Sequence, residues 1–258
     1  MVVRYIIRPP GIWTTPRNLR KALNAKGTAQ PSRGVKTVFD YNLDFFLCYN
    51  NNNNAKNVPF ELINFAQSSK AGQRYLLAQE NLPIPKTQSK LSFEGLNEDF
   101  PEHDDSLTYI VRPLRHSQGK NYKITKNPHD WNPNREYIQV MFPKAYEYRI
   151  ITCFGTPIIT LVKQIPEDLD NTQPWNHSNG STFVTVNNPE LNRLRHTDVY
   201  ERLKANSIIK AAHLVGVDVL LNKKQDSYVI CEFNFCPSIT IPSNLDKVSQ
   251  HVHSVRGA

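Results

Sequence analysis

Two acids and two cations in this chain are spaced in ways that ask for a counter-ion. Asp218 and Glu232 lie on either side of a hairpin turn centred near Lys224 and Gln225. Residues equidistant from such a turn oppose one another in an antiparallel pair, so the two carboxylates face each other. Asn234, two residues past Glu232, points the same way. Opposed like charges destabilise a sheet. A cation held between them removes that cost, and an oxygen-only donor set without His or Cys favours Mg2+. The plainer alternative is a pair of solvent-facing acids at a strand edge. Arg149 and Lys163 pose the mirror-image problem across Phe154-Gly155-Thr156-Pro157. A turn centred between Gly155 and Thr156 makes these two cations nearly opposed. A triphosphate or acyl phosphate would bridge them; otherwise they are surface side chains with their heads in water. Acid on one hairpin and base on another are the ingredients of phosphoryl transfer. Neither the glycine fingerprint of a P-loop nor that of a dinucleotide fold is present.

The elements that must position these residues alternate along the chain. Residues 1–47 read as a small α/β lobe, with strands at 3–7 and 35–40. Between them a helix at 16–25 has Thr15 as its cap and Pro16 in its first turn. Five consecutive asparagines, 50–54, read as a loop or linker. A helix from Lys70 to about Glu80 ends at the Pro83/Pro85 pair, and 86–89 is extended. Strands follow at 108–112, 122–125, 137–141, 146–154, 157–163 and 182–186. The longest helical pattern is 197–215, with Ile208, Ile209, Ala212 and Val215 on one face. Strands at 217–221 and 228–232 close the series. This order predicts an α+β fold. Nothing in it repeats, and no coiled-coil heptads occur.

Composition narrows the class. The 258 residues carry 31 Lys+Arg against 23 Asp+Glu, a formal charge of +8, with 39% hydrophobic, 10% aromatic and 21% charged residues. Such a chain can fill a core and is not a disordered tail. The charge suits an anionic partner: nucleic acid, nucleotide or acidic peptide. Glycine is sparse, at 10 residues, so phosphates would be gripped more by side chains than by bare backbone. The apolar stretch 150–162 is interrupted by Thr152, Gly155, Thr156, Pro157 and Thr160 and is shorter than the ~20 residues a membrane helix requires. Arg4 and Arg8 interrupt the apolar start, which lacks a signal-peptide core. Cys48, Cys153, Cys231 and Cys236 have no paired zinc spacing and read as reduced thiols, which predicts a cytoplasmic protein.

Six stretches occur in the order found in the ATP-grasp superfamily, and the region from Ser68 to Pro237 resembles its carboxylate–amine ligases, similar to the enzymes that add glutamate to a ribosomal protein. SSKAGQRYLLAQENLPIPKT, 68–87, resembles the family's lysine-bearing helix, which implies that Lys70 reaches the nucleotide phosphates. YIVRPLRHSQGKNY, 109–122, resembles a strand and phosphate loop. Arg112 stands where the family has lysine, and Ser117, Gln118 and Gly119 stand in the loop, which keeps one glycine of several. YIQV, 137–140, resembles the adenine hinge, with Gln139, Val140 and Phe142 as contacts. EYRIITCFGTPIITLVKQ, 147–164, resembles the family's paired basic strands. By resemblance Glu147 helps bind the nucleotide, Arg149 contacts an acyl phosphate and Lys163 the nucleotide or substrate. NHSNGS, 176–181, resembles a substrate loop. GVDVLL followed by YVICEFNFCP places Asp218, Glu232 and Asn234 where the family binds two Mg2+ ions, with Mn2+ as an alternative metal.

The resemblance implies two α/β lobes gripping ATP, 59–142 and 143–258, after a short N-terminal lobe with its Asn-rich linker, 1–58. The implied activity is ATP-dependent amide formation through an acyl phosphate, in which Arg149, Lys163 and Asn234 act on the reacting groups. The substrates would be a small molecule, an amino acid or an acidic peptide. His177 is a candidate substrate contact, and His116 a candidate stand-in for the loop's missing glycines. His213 reads as packing, and His251 and His253 as part of a frayed tail. Two other classes remain open: an ATP-grasp kinase or nucleotide-binding regulator, and a basic nucleic-acid binder using exposed aromatics such as Trp13, Trp131 and Trp175.

Overall fold

The computed structural model describes residues 4–7, 26–28, 47–49, 70–90, 100–101, 104–114, 121–169, 172–186, 188–211, 214–234, 237, 239 and 241–255. The expected helix at 16–25, the strand at 35–40, the asparagine run, His116, His213 and the loop residues Ser117, Gln118 and Gly119 lie outside that set.

Three sheets are present. The N-terminal one is small: β1 (Arg4–Ile7) pairs in parallel with β2 (Lys26–Thr28) and antiparallel with β3 (Leu47–Tyr49). Helix α1 (Lys70–Gln79) follows. Its end is written in the sequence: Asn81 takes a left-handed φ of 54°, its N–H reaches Ala78 O, and Leu82 N–H reaches Leu77 O. That is the double-bonded C-terminal cap for which Asn is the usual substitute for Gly, and Pro83 prevents any continuation.

A four-stranded antiparallel sheet holds β4 (Thr87–Ser89), β5 (Tyr109–Pro113), β6 (Lys123–Thr125) and β7 (Glu136–Val140), in the order β4-β7-β5-β6. Phe100, Tyr109, Val111 and Ile138 form its core.

A five-stranded antiparallel sheet holds β8 (Lys144–Cys153), β9 (Thr156–Gln164), β10 (Thr182–Thr185), β11 (Leu214–Asn222) and β12 (Tyr228–Asn234), in the order β10-β9-β8-β11-β12. One face packs on α1 and on helices α2 (Asn188–Arg195), α3 (Val199–Ala205) and α4 (Ser207–Ala211). Tyr148, Ile150, Val217, Val219 and Phe233 meet Leu77, Leu194, Leu203 and Ile209 there. The other face is capped at one end by α5 (Pro242–Val255), through Leu245, Val248 and Val252 against Ile151 and Ile159. The α+β expectation therefore holds.

The single helix expected at 197–215 is replaced by two short helices and a strand. Asn206 breaks it with an extended backbone, φ −65° and ψ 128°. Its side-chain oxygen accepts from Ile209 N–H, and Glu80 accepts from the Ser207 N–H and hydroxyl. An Asn that caps the next helix competes with helix continuation. From Leu214 on, the chain is recruited into the sheet centre between β8 and β12, where pairing on both edges overrides helical periodicity. The last described element is also ordered helix, to Val255. His251 lies within α5, and its Nε2 bonds the Cys153 carbonyl oxygen.

Candidate active site

The cleft face of the five-stranded sheet carries its charges in transverse rows. Asp218 is paired with Glu232 on β12, as the turn spacing predicts, and with Arg149 on β8. Leu161 of β9 extends this row. The next row toward α5 holds Ile159, Ile151, Gly216 and Asn234. The other hairpin corrects the sequence reading. The turn sits on Phe154 and Gly155, both with positive φ (48° and 80°), one position earlier than expected. A bulge at Ile151/Thr152 returns only part of that shift, so Arg149 opposes Leu161 and not Lys163. Lys163 instead donates to Glu147 Oε1.

Each acid is therefore met by a cation from another element. Arg149 makes two bonds to Asp218, Nε to Oδ1 at 2.6 Å and Nη2 to Oδ2 at 2.7 Å. Glu232 pairs with Lys70 of α1 at 2.9 Å. The expected repulsion between Asp218 and Glu232 is relieved by protein cations flanking the pair. Helix α1 is clamped in place for this. The Gln73 side chain bonds both backbone groups of Phe233, Nε2 to O and N–H to Oε1, as a neighbouring strand would. Gly216 is needed at the row's edge: a Cβ there would lie 3.0 Å from Pro237 Cβ and 3.4 Å from Arg149 Cδ.

These contacts tune the groups. Burial alone would raise the Glu232 carboxyl, but Lys70, with Arg149 and Arg112 behind it, outweighs burial and holds it down at about 2. Burial works against the Arg149 charge, and Asp218 more than restores it, so the guanidinium is held above its usual range. Glu147 is the opposite case: burial pushes its carboxyl up despite Lys163. Lys144 is pulled down to about 8 by burial, and the buried Cys231 thiol is pushed up to about 12, so it is no nucleophile.

A cleft of about 1000 Å³ lies between the two larger sheets. It brings together Lys70, Arg112, Gln139, Phe142, Glu147, Arg149, Lys163, Asp218, Glu232, Asn234 and His177. Of the expected hinge, Gln139 and Phe142 line it, whereas Val140 gives its N–H to Lys86 O. Opposite the carboxylates, Arg112 Nε and Gln139 Oε1 are buried without a hydrogen-bond partner among the described residues. Buried groups of this kind cost free energy unless something satisfies them, so this wall is set to receive a polar ligand.

Four contributors were missed. Arg74 bonds Thr87 Oγ1 and Cys231 O, and lies over the Tyr137 ring at 5.4 Å, tying both sheets to α1. Its spacing from Lys70 on one helix face, with Gln73 between, was a usable signal. Phe183 packs its ring between Arg149 and Lys163, at 4.3 and 4.5 Å. Lys144 stands 4.0 Å over Trp175. Trp175 is only 4% exposed, and Trp131 packs on the β5–β7 core. Neither is the free aromatic a nucleic-acid surface would present.

No family model matches the sequence, and no curated protein is significantly similar to it. Among solved structures, the chain is similar to the ATP-grasp ligase PsnB complexed with a minimal precursor. The identity is 12% and the TM-score 0.46, covering 77% of this chain and 67% of that one. It is also similar to the ADP complex of purK, N5-carboxyaminoimidazole ribonucleotide synthetase, at 10% identity and TM-score 0.49, covering 75% of this chain and 52% of that one. A third is the D-alanine–D-alanine ligase from Bacillus anthracis complexed with ATP, at 13% identity and TM-score 0.45, covering 76% and 70%. The chain spans about half of the second structure and about two thirds of the other two.

Proposed function

We propose that this protein is an ATP-dependent ligase of the ATP-grasp type, joining a carboxylate to an amine. The observation that carries the reading is the continuous charged row Lys70–Glu232–Asp218–Arg149, drawn from α1, β12, β11 and β8. It lies across the cleft from Arg112 Nε and Gln139 Oε1, which lack hydrogen-bond partners among the described residues. The sequence motifs assign the same residues to a nucleotide and its metal.

The donor set fits Mg2+. Asp218 and Glu232 offer hard oxygens on adjacent strands, and Asn234 adds an amide oxygen on the same face. Among the described residues no group of three or more His, Cys, Asp or Glu side chains could hold a metal, so the assignment rests on two carboxylates and one amide. A bound ion, or a pair of ions, would supply positive charge to phosphate oxygens. Mn2+ would suit the same oxygens.

In the proposed reaction a substrate carboxylate oxygen attacks the γ-phosphorus of ATP, ADP leaves, and an acyl phosphate forms. The amine then attacks the carbonyl carbon, phosphate departs with the C–O bond, and the amine gives up a proton. Arg149 is oriented for the acyl phosphate from three sides, by two bonds to Asp218 and by the Phe183 face. Lys163 stands beside it, held by Glu147. Lys70 and Arg112 approach the phosphates from α1 and β5. Preorganised charge of this kind contributes several kcal/mol to such transition states.

The test is ADP release with Mg-ATP and paired carboxylate and amine substrates. Glu232→Gln and Asn234→Ala are expected to lower turnover by about a hundredfold or more while circular dichroism is unchanged. Bound ATP with no metal-dependent ADP release for any pair would refute the ligase reading.

A further inference from the structure

The two ends of the cleft differ in chemistry. At the hinge end stand Arg112, Lys144, Lys163 and Glu147. Past Arg149, toward α5, the lining is Ile151, Ile239 and Ile241, with Asn244, and Leu161 flanks Arg149 in its own row. Ile151, Leu161 and Ile239 belong to the apolar cluster that also takes in α5. The transverse row at this end, Ile159–Ile151–Gly216–Asn234, has no charge. Neither does the sequence between Asn234 and Asn244. A buried polar atom of this lining, Asn244 Oδ1, has no hydrogen-bond partner among the described residues, and Asn244 is 2% exposed.

We infer that this end of the cleft receives an amino-acid or peptide substrate through a neutral, branched aliphatic side chain and one N–H donor, and that it rejects an acidic side chain. Asn244 Oδ1 can only accept, so its missing partner is a donor, as a ligand amine or amide would be. The isoleucines and Asn244 offer an acidic side chain no cation: the Arg149 guanidinium, in the neighbouring row, is committed to Asp218 and, in the proposed reaction, to the acyl phosphate. A carboxylate placed there would be desolvated and unpaired. The inference deepens the ligase reading and rests on it only in taking the occupant to be a reactant.

The test measures binding and turnover separately. Leucine and leucinamide are compared with glutamate and its α-amide, by calorimetry on the full chain with a non-hydrolysable ATP analogue and Mg2+. The leucine pair should bind about tenfold tighter or more, the scale on which apolar pockets discriminate. Ile241→Lys should bring the glutamate pair level with or ahead of the leucine pair. Asn244→Ala, a gentler change, should weaken leucine binding severalfold without strengthening glutamate. Equal or tighter glutamate binding by the unaltered protein overturns the inference. So does failure of all four to bind at millimolar concentration while the analogue binds. Leucine binding with no ADP release for any paired carboxylate or amine would refute the ligase reading and leave this inference standing, whereas ADP release with glutamate and none with leucine, with the same partners, would do the reverse.

Discussion

The β11–β12 and β8–β9 hairpins each place like charges on one sheet face, and they resolve the conflict differently. On β11–β12 the two acids are directly opposed, and both cations come from outside the hairpin: Arg149 from β8 and Lys70 from α1. On β8–β9 the register moves, so that Lys163 finds Glu147 within the hairpin and Arg149 is freed to reach across to β11. One hairpin keeps its charge and recruits partners; the other neutralises half of its own. Charge pairing across elements, not within a hairpin, is what ties α1, β12, β11 and β8 into one row.

Asp218→Asn should give the largest effect. It leaves the Arg149 guanidinium buried without its acid, a loss of about 3–5 kcal/mol, read by urea unfolding. Glu147→Gln should cost less, about 1–2 kcal/mol, because burial already pushes that carboxyl toward its neutral form. Equal losses at the two sites would break the distinction between the hairpins. Gly216→Ala should follow with a similar or smaller cost, about 1–2 kcal/mol, since its Cβ would press on Pro237 and the Arg149 stem. Its signature is activity lost beyond what the stability change explains, as Arg149 is displaced.

The last effect is on acid stability. Glu232 is held at about 2 by Lys70 when folded, against about 4.3 for a free glutamate. A depressed carboxyl adds stability that is complete above the unfolded value and is lost as pH falls from about 4.3 to about 2. Stability of the unaltered protein should therefore drop across that window, and Glu232→Gln should flatten this part of the drop. An unchanged acid limb in the variant would mean that the Lys70–Glu232 contact does not hold the α1 edge of the row.

The two hairpins also show where a sequence can be read. The Asp218–Glu232 pairing followed from counting outward from the turn, because the one bulge in that hairpin, between Asp218 and Val219, lies between the turn and the pair and shifts the register by the one position that the assumed centre already allowed. The same counting failed for Arg149 and Lys163. A turn one position earlier, on the left-handed Phe154 and Gly155, moves every cross-strand partner by two, and a bulge at Ile151/Thr152 returns one of them. Bulges respond to packing against neighbouring strands and leave little local signature. The expected long helix failed for a related reason: 214–222 has helical spacing and strand-forming residues alike, and the sheet centre decides between them.

The sequence by itself determined the types of group and their local spacing. It places Lys70, Gln73 and Arg74 on one helix face, ends α1 at Asn81 and Pro83, opposes Asp218 to Glu232, and sets Asn234 in phase with them. These follow from helix and strand periods and from turn chemistry, which act over a few residues. Tertiary structure alone decided which charge meets which: Arg149 with Asp218, 69 residues away, Lys70 with Glu232, and Phe183 between two cations. It also decided that one end of the cleft is charged and the other apolar. Burial and strand order set those matters, and both depend on contacts between segments far apart in the chain.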